Sequence, residues 1–323
     1  MLKYIYTNRA IQMIRFYKTD PETEKIARID EATEDCWIDM VSPTDEEISE
    51  VLKITGVNSD FLTKMRDDDE LPRIETSPDA TLVVIDVPAI NENTKYVTYP
   101  IGIIITNNNY VITVSPRKTQ ILHNYRVNQI AEFHTAKKTR FAIQIINTAA
   151  AEYLRILTAI YNTIEDKENA LQKATTNGDL VDLLMTEKTL VYFTTSLKEN
   201  NSVLERISKG SILPLSEGDD DMLEDAIIET GQAIDMAGIY REIIQSMTET
   251  YATIVSNNQN NIMKFLAGIT IVLSIPTMIS SFLGMNVQLG IIGTSPLSAW
   301  IILVGSFVVS IATALILKKK GLL

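Results

Sequence analysis

Asn260, Met263, Ala267, Thr270, Ser274, Thr277 and Ser281 are separated by 3, 4, 3, 4, 3 and 4 residues, so on a helix they share one face. The other faces carry Ile262, Phe265, Ile269, Ile271, Val272, Ile275, Met278, Ile279 and Phe282. A row of amide and hydroxyl oxygens on an otherwise apolar cylinder suits two roles. Small and hydroxyl-bearing residues let membrane helices pack closely. If several copies surround an axis, the same row faces water and offers weak, repeated oxygen contacts to a hydrated ion. Met263 and Leu266 straddle the row one turn inside Asn260, where their apolar side chains would narrow such a path. At the far end, Gly284-Met285-Asn286 closes the run. By residue type alone the tripeptide reads as an ordinary helix terminus, since Gly and Asn are common C-caps.

The elements that must hold these residues follow from length and charge. Ile262 to Leu283 and Ser298 to Leu317 are two apolar runs of roughly 20 residues, each matching a hydrocarbon core of about 30 Å at 1.5 Å per residue. Both are expected to span. Pro276 lies inside the first, where Thr277 and Ser280 are near enough to help satisfy the backbone group it frees. From Asn261 onward the only charged side chains are Lys264, Lys318, Lys319 and Lys320. Residues 1 to 260 therefore hold 25 bases against all 41 acids, a net charge of -16. That balance argues against nucleic acid as a partner and suits attraction of cations. The basic cluster after the second run and the uncharged loop Val287 to Ala299 place both termini in the cytoplasm. The start MLKYIYTNRA has no long apolar core, so no removable signal peptide is evident.

The first third reads as strands with connecting helices: Ile11 to Tyr17, Cys36 to Met40, Ala80 to Val87, Tyr96 to Ile105 and Tyr110 to Ser115 are rich in Ile, Val, Thr and Tyr. Asn107-Asn108-Asn109 predicts a hairpin turn. Thr44 with Glu47 predicts a capping box opening a helix from Asp45 to about Thr55. Two long helices follow, about Arg140 to Thr175 and Asp179 to Lys209. A third starts at Asp219 to Asp221 and has no clear stop before Gly284, a length of roughly 100 Å. Cys36, the single cysteine, is read as packing beside Trp37, and His123 and His134 as ordinary helix or loop residues.

At these residues the chain resembles the CorA family of magnesium transporters. The resemblance rests on Gly284-Met285-Asn286, on Asn260-Asn261-Ile262-Met263-Lys264, on Pro276-Thr277 and on Lys318-Lys319-Lys320. Trp37-Ile38-Asp39 with Pro43-Thr44, and Pro72-Arg73-Ile74-Glu75, add weaker likeness. It implies a homopentamer in the cell membrane with a funnel-shaped cytosolic domain. It also implies a pore lined by the first span, passive magnesium influx gated by intracellular magnesium, and an outer metal site at Gly284, Met285 and Asn286. There, backbone carbonyls near Gly284 and the side-chain oxygen of Asn286 would ring the mouth and Gly284 would permit close approach. Cobalt or nickel could pass too. Aligned by the tripeptide, Asp225 falls on the family's regulatory metal position, and Asp86 or Glu92 of the adjacent subunit would face it. Two departures stand out: Leu283 occupies a place where the family usually has an aromatic residue, and the outer loop lacks acids.

The expected fold class is α+β: a cytosolic α/β domain with a helical hairpin over 1–210, a stalk helix over 211–261 and a pore-lining span over 262–286. An outer loop over 287–297, a second span over 298–317 and a basic tail over 318–323 complete it. The rival reading is a two-span membrane-anchored sensor, which needs no periodic polar row. No P-loop, nucleotide fingerprint or nucleophile-histidine arrangement suggests an enzyme.

Overall fold

The computed structural model describes residues 14–91, 96–171, 177–210, 212–285 and 296–322. It divides into two compact units, Met1–Ser246 and Met247–Leu323. The first is built on a seven-stranded mixed sheet. Its strands are β1 (Ile14–Thr19), β2 (Ile26–Ile29), β3 (Trp37–Val41), β4 (Arg73–Thr76), β5 (Ala80–Ile90), β6 (Tyr96–Thr106) and β7 (Val111–Ser115), in the spatial order β2-β1-β3-β7-β6-β5-β4. Among the described strands, only β3 and β7 pair in parallel. Ile11 to Met13, the expected start of the first strand, lie outside the described residues.

Period-two alternation sends successive side chains to opposite faces, and both faces are covered. Trp37, Val83, Ile85, Ile101, Ile103 and Val111 pack under α3 (Gln120–Arg126), α4 (Lys138–Leu171) and α5 (Asn177–Gly210). Ile38, Met40, Leu82, Val84, Ile104 and Ile112 pack against α1 (Asp45–Thr55) and α2 (Ser59–Thr63). Gly102 lies on this second face, where a Cβ would come within 2.7 Å of the Met65 side chain. Cys36 belongs to the α1 side and Trp37 to the other, so the two do not pack together as their adjacency suggests. Strand geometry separates neighbours in sequence.

Several local expectations are met. Thr44 and Glu47 form the reciprocal capping box of α1, and Gly56 closes it in a left-handed conformation at φ 69°. Asn109, at φ 65°, turns the β6–β7 hairpin. The two strands the sequence reading missed, β2 and β4, are four-residue edge strands with too few apolar positions to show alternation. The free edge of β2 is covered by Asn128, whose side chain accepts from the Ile26 N–H at 2.7 Å and donates to the Ile26 carbonyl at 3.0 Å.

Under α3 lies a buried ion pair. Arg126 donates to both oxygens of Asp39, at 2.7 and 3.0 Å, while Thr113 donates to the same carboxylate and accepts from the Trp37 indole. Asp39 is fully buried, and burial pushes its carboxyl up against the opposing pull of Arg126. Arg126→Ala would leave that carboxylate uncompensated, so it should destabilise the domain by about 3–5 kcal/mol. Denaturant unfolding of the purified protein measures this, and an unchanged midpoint would contradict it.

A 65-residue helix, α6 (Asp219–Leu283), begins in this unit with Leu223 and Ala226 inside the core, and it runs unbroken through Asn257-Asn258. The second unit holds the rest of α6 and α7 (Pro296–Lys319). Both helices are long and apolar enough to cross a membrane.

Candidate functional site

Within the second unit, the partly or fully buried positions of α6 after Leu266 are Gly268, Ile269, Val272, Ile275, Pro276, Ile279 and Leu283. At about 100° per residue they centre roughly opposite Thr270, Ser274, Thr277 and Ser281, all of which are exposed. On α7, Ser306, Ser310 and Leu317 are the buried positions among the described residues, again on one face. Small residues thus occupy buried positions on both helices, Gly268 on α6 and Ser306 and Ser310 on α7, whereas the polar row of α6 is on the exposed side. Asn260, Met263, Leu266 and Ala267 are likewise exposed.

The hydroxyls of the row share an orientation. Thr270 donates to the Leu266 carbonyl at 2.7 Å, Ser274 to Thr270 at 2.7 Å and Thr277 to Leu273 at 3.0 Å. Each O–H is tied back onto its own helix, leaving lone pairs to point outward. Pro276 frees the Val272 carbonyl, and the Thr277 hydroxyl donates to the next carbonyl along, that of Leu273.

Gly284 donates to the Ser280 carbonyl at 2.9 Å and is not in the left-handed conformation of a glycine cap. A Cβ there would meet only ordinary contacts, 3.4 Å from the Ser280 oxygen. Its own helix does not require a glycine. Met285 is about half exposed, while Asn286, Glu92 and the outer loop to 295 lie outside the described residues.

Of the candidate acids in the first unit, Asp86 is held by partners far apart in sequence. Asp86 ends a buried stretch of β5, where Ser196 of α5 donates to its carboxylate at 2.6 Å. Asn200 clamps its backbone from both sides, at 2.9 and 2.7 Å. Burial, with a repulsive contribution from Glu199, pushes Asp86 up to about 6 despite the Ser196 hydrogen bond. It looks into a groove of about 840 Å³ that also exposes Asp69 and Glu199. Asp225 is exposed on α6, and one turn on, burial and Asp225 together raise the carboxyl of Glu229. Among the described residues no three acidic, histidine or cysteine side chains converge as a metal cage within one chain. Sequence reasoning selected Asp86 and Asp225 but missed Ser196, Asn200 and Glu229. Spacing carries no signal for a clamp between residues 110 or more positions apart.

A carboxyl raised in the folded state stabilises the fold while protonated, below the ordinary carboxylate range, and that stability is lost as pH rises through about 6. Asp86→Asn keeps an acceptor for Ser196 and removes the charge. It should raise the melting temperature at pH 8, by a free energy on the order of 1–3 kcal/mol, and leave it nearly unchanged at about pH 4. Equal effects at both pH values would contradict this assignment.

The sequence family described as CorA-like Mg2+ transporter protein matches residues 34–319. The cobalt/magnesium transport protein CorA of Methanocaldococcus jannaschii is 28% identical over 298 residues, covering 88% of this chain and 90% of that protein. The complete structure of the CorA magnesium transporter from the same organism aligns with a TM-score of 0.82 at 25% identity, covering 96% and 99% of the two chains. The full-length CmaX protein shares the fold, with a TM-score of 0.69 at 14% identity over 95% and 97% of the chains.

Proposed function

The chain belongs to the CorA-like Mg2+ transporter family, and from that premise we propose that five copies surround an axis and carry magnesium passively along the polar row of α6. It is a membrane transporter of magnesium. The observation that carries the pore assignment is the opposition of faces on α6: the oxygen row is exposed, and the partly or fully buried residues from Gly268 to Leu283 lie on the other side.

Magnesium gives up its inner waters reluctantly, so a pore does best to hold the hydrated ion. The waters around a cation present O–H donors outward. Thr270, Ser274 and Thr277, their own protons tied back to the helix, present acceptors. Carbonyls near Gly284, beside Met285, and the Asn286 side chain would form the outer ring, and Met263 with Leu266 the inner neck. Recognition through a water shell discriminates weakly among hydrated divalent ions. Cobalt, named with magnesium in the Methanocaldococcus relative, and nickel are therefore expected as further cargo.

The exposed apolar side chains of the hairpin, such as Leu273, Met278, Phe282 and Trp300, require lipid or a neighbouring subunit. In our reading the membrane is that of the cell, with both termini cytoplasmic and Lys318 to Lys320 at the inner surface. An inside-negative potential of about 100 mV is worth about 4.6 kcal/mol to a divalent cation, so influx needs no other energy source. Intracellular magnesium would close the pore by bridging Asp225 of one subunit to Asp86 or Glu92 of the next. The rival reading, a membrane-anchored sensor, leaves the oxygen row unexplained.

Purified protein in liposomes loaded with a magnesium-sensitive dye tests this directly. Magnesium uptake above that of empty vesicles is expected, and none from correctly assembled protein would refute transport.

A further inference from the structure

Closure by intracellular magnesium through Asp225, the reading on which this proposal rests, requires the start of α6 to be held in one place. Asp225 stands six residues after the first residue of that helix, about 9 Å along it. Of the three aspartates in the first turn, Asp220 and Asp221 are exposed, which suffices for a favourable interaction with the helix dipole. Asp219 is different. It is only 1% exposed, and it lies between Leu213 and Leu223, both of which are in the core of the sheet domain. One of its carboxylate oxygens is used locally, accepting from the Ser216 N–H at 2.8 Å. The other has no hydrogen bond and faces the Arg140 guanidinium at 3.5 Å.

Arg140 belongs to the first turn of α4, which is tied to the sheet at two points. Lys138 donates to the Thr106 carbonyl of β6 at 2.9 Å, and Phe141 packs edge-on against Trp37 of β3 with ring centroids 5.3 Å apart. The Arg140 side chain is largely buried, and its other terminal nitrogen lies 3.6 Å from the exposed carboxylate of Glu132. Gly218, left-handed at φ 83°, turns the chain into α6, and a Cβ there would stand 3.7 Å from Arg140 Nη1. Contacts therefore run from the sheet through the first turn of α4 to the first residue of α6.

We propose that Arg140 and Asp219 are positioning residues for the magnesium response: their ion pair registers the start of α6 against the sheet and so presents Asp225 in one place. Neither touches the ion. Without the pair the first turns of α6 sample more positions, and an ion bound at Asp225 must order them, which weakens the site.

The test is magnesium flux by the full-length protein in dye-loaded liposomes at rising internal magnesium, with assembly checked by size-exclusion chromatography. Asp219→Asn keeps the acceptor for Ser216 and removes the charge. It should move the midpoint of inhibition about threefold to tenfold toward higher magnesium, the range for side chains that couple two sites, and leave flux at low internal magnesium unchanged. Arg140→Gln should move the midpoint the same way, and the double variant no further than the larger single effect, because the two act as one contact. Arg140→Lys, which keeps the charge, should stay near the wild type. A pair that only adds stability would lower the melting temperature and leave every midpoint in place, and that result in assembled Asp219→Asn would overturn the proposal. Additive shifts in the double variant would overturn it too. Should Arg140→Gln alone not assemble, Asp219→Asn still decides, since the Arg140 charge it leaves is partly open to water. A shifted midpoint in Asp219→Asn with unaltered inhibition in Asp225→Lys would keep the positioning role and remove the reading of Asp225. Lost inhibition in Asp225→Lys with an unshifted Asp219→Asn would do the reverse.

Discussion

Asn286→Ala should abolish magnesium uptake while leaving the assembled oligomer intact. In the proposed pore, each of five subunits contributes one amide oxygen that accepts from the water shell of the ion. A hydrogen bond of this kind contributes about 1 kcal/mol after exchange with bulk water. Losing five removes about 5 kcal/mol of site affinity, more than about a thousandfold in occupancy. The effect should be steep because this chain has no acid between Val287 and Ala299 to concentrate cations at the mouth. Dye-loaded liposomes measure the rate, and size-exclusion chromatography checks assembly. Wild-type flux through an intact Asn286→Ala oligomer would move the outer site elsewhere.

Asp225→Lys should release the channel from inhibition by high internal magnesium. If magnesium bridges the closed state only, a site at about ten times its dissociation constant contributes about 1.4 kcal/mol, and five sites about 7 kcal/mol. Driving a two-state equilibrium from 1:99 to 99:1 takes about 5.5 kcal/mol. Weak sites therefore suffice together, and a lysine in place of Asp225 would replace each bridge by repulsion of the ion. Flux at rising internal magnesium should stay open in the variant where the wild type closes. An unchanged inhibition curve would place the sensor at other residues, with Glu229, one turn along the same helix, an acid to examine next.

Features carried by local rules were legible before any coordinates. The capping box of Thr44 and Glu47, the Asn109 turn and the unbroken course of α6 through Asn257-Asn258 each depend on residues within a few positions of one another. The polar row was legible as a row, but its role was not. Whether Thr270, Ser274 and Thr277 pack against protein or face a path depends on where α7 lies, and only the burial of Gly268, Ile275 and Ile279 on the opposite side separates those cases. The Asp86 clamp escaped the sequence because Ser196 and Asn200 reach it from another element. The short edge strands β2 and β4 escaped because four residues cannot establish a period. Gly284 reads in sequence as a left-handed cap, whereas in the structure it still donates along the helix to Ser280. In the proposed pore, close approach at the mouth is the role assigned to the glycine.

The central claim is that the oxygen row of α6 faces the ion path. Cysteine accessibility tests it most directly, with a water-soluble thiol reagent applied to Ser274→Cys, Thr277→Cys and Ile279→Cys in reconstituted protein during magnesium uptake. Reaction at positions 274 and 277 that blocks flux, with position 279 unreactive on the buried side, is the predicted result. Reaction at 279 with flux unaffected by modification at 274 and 277 would show that the row packs against protein and that the ion passes elsewhere.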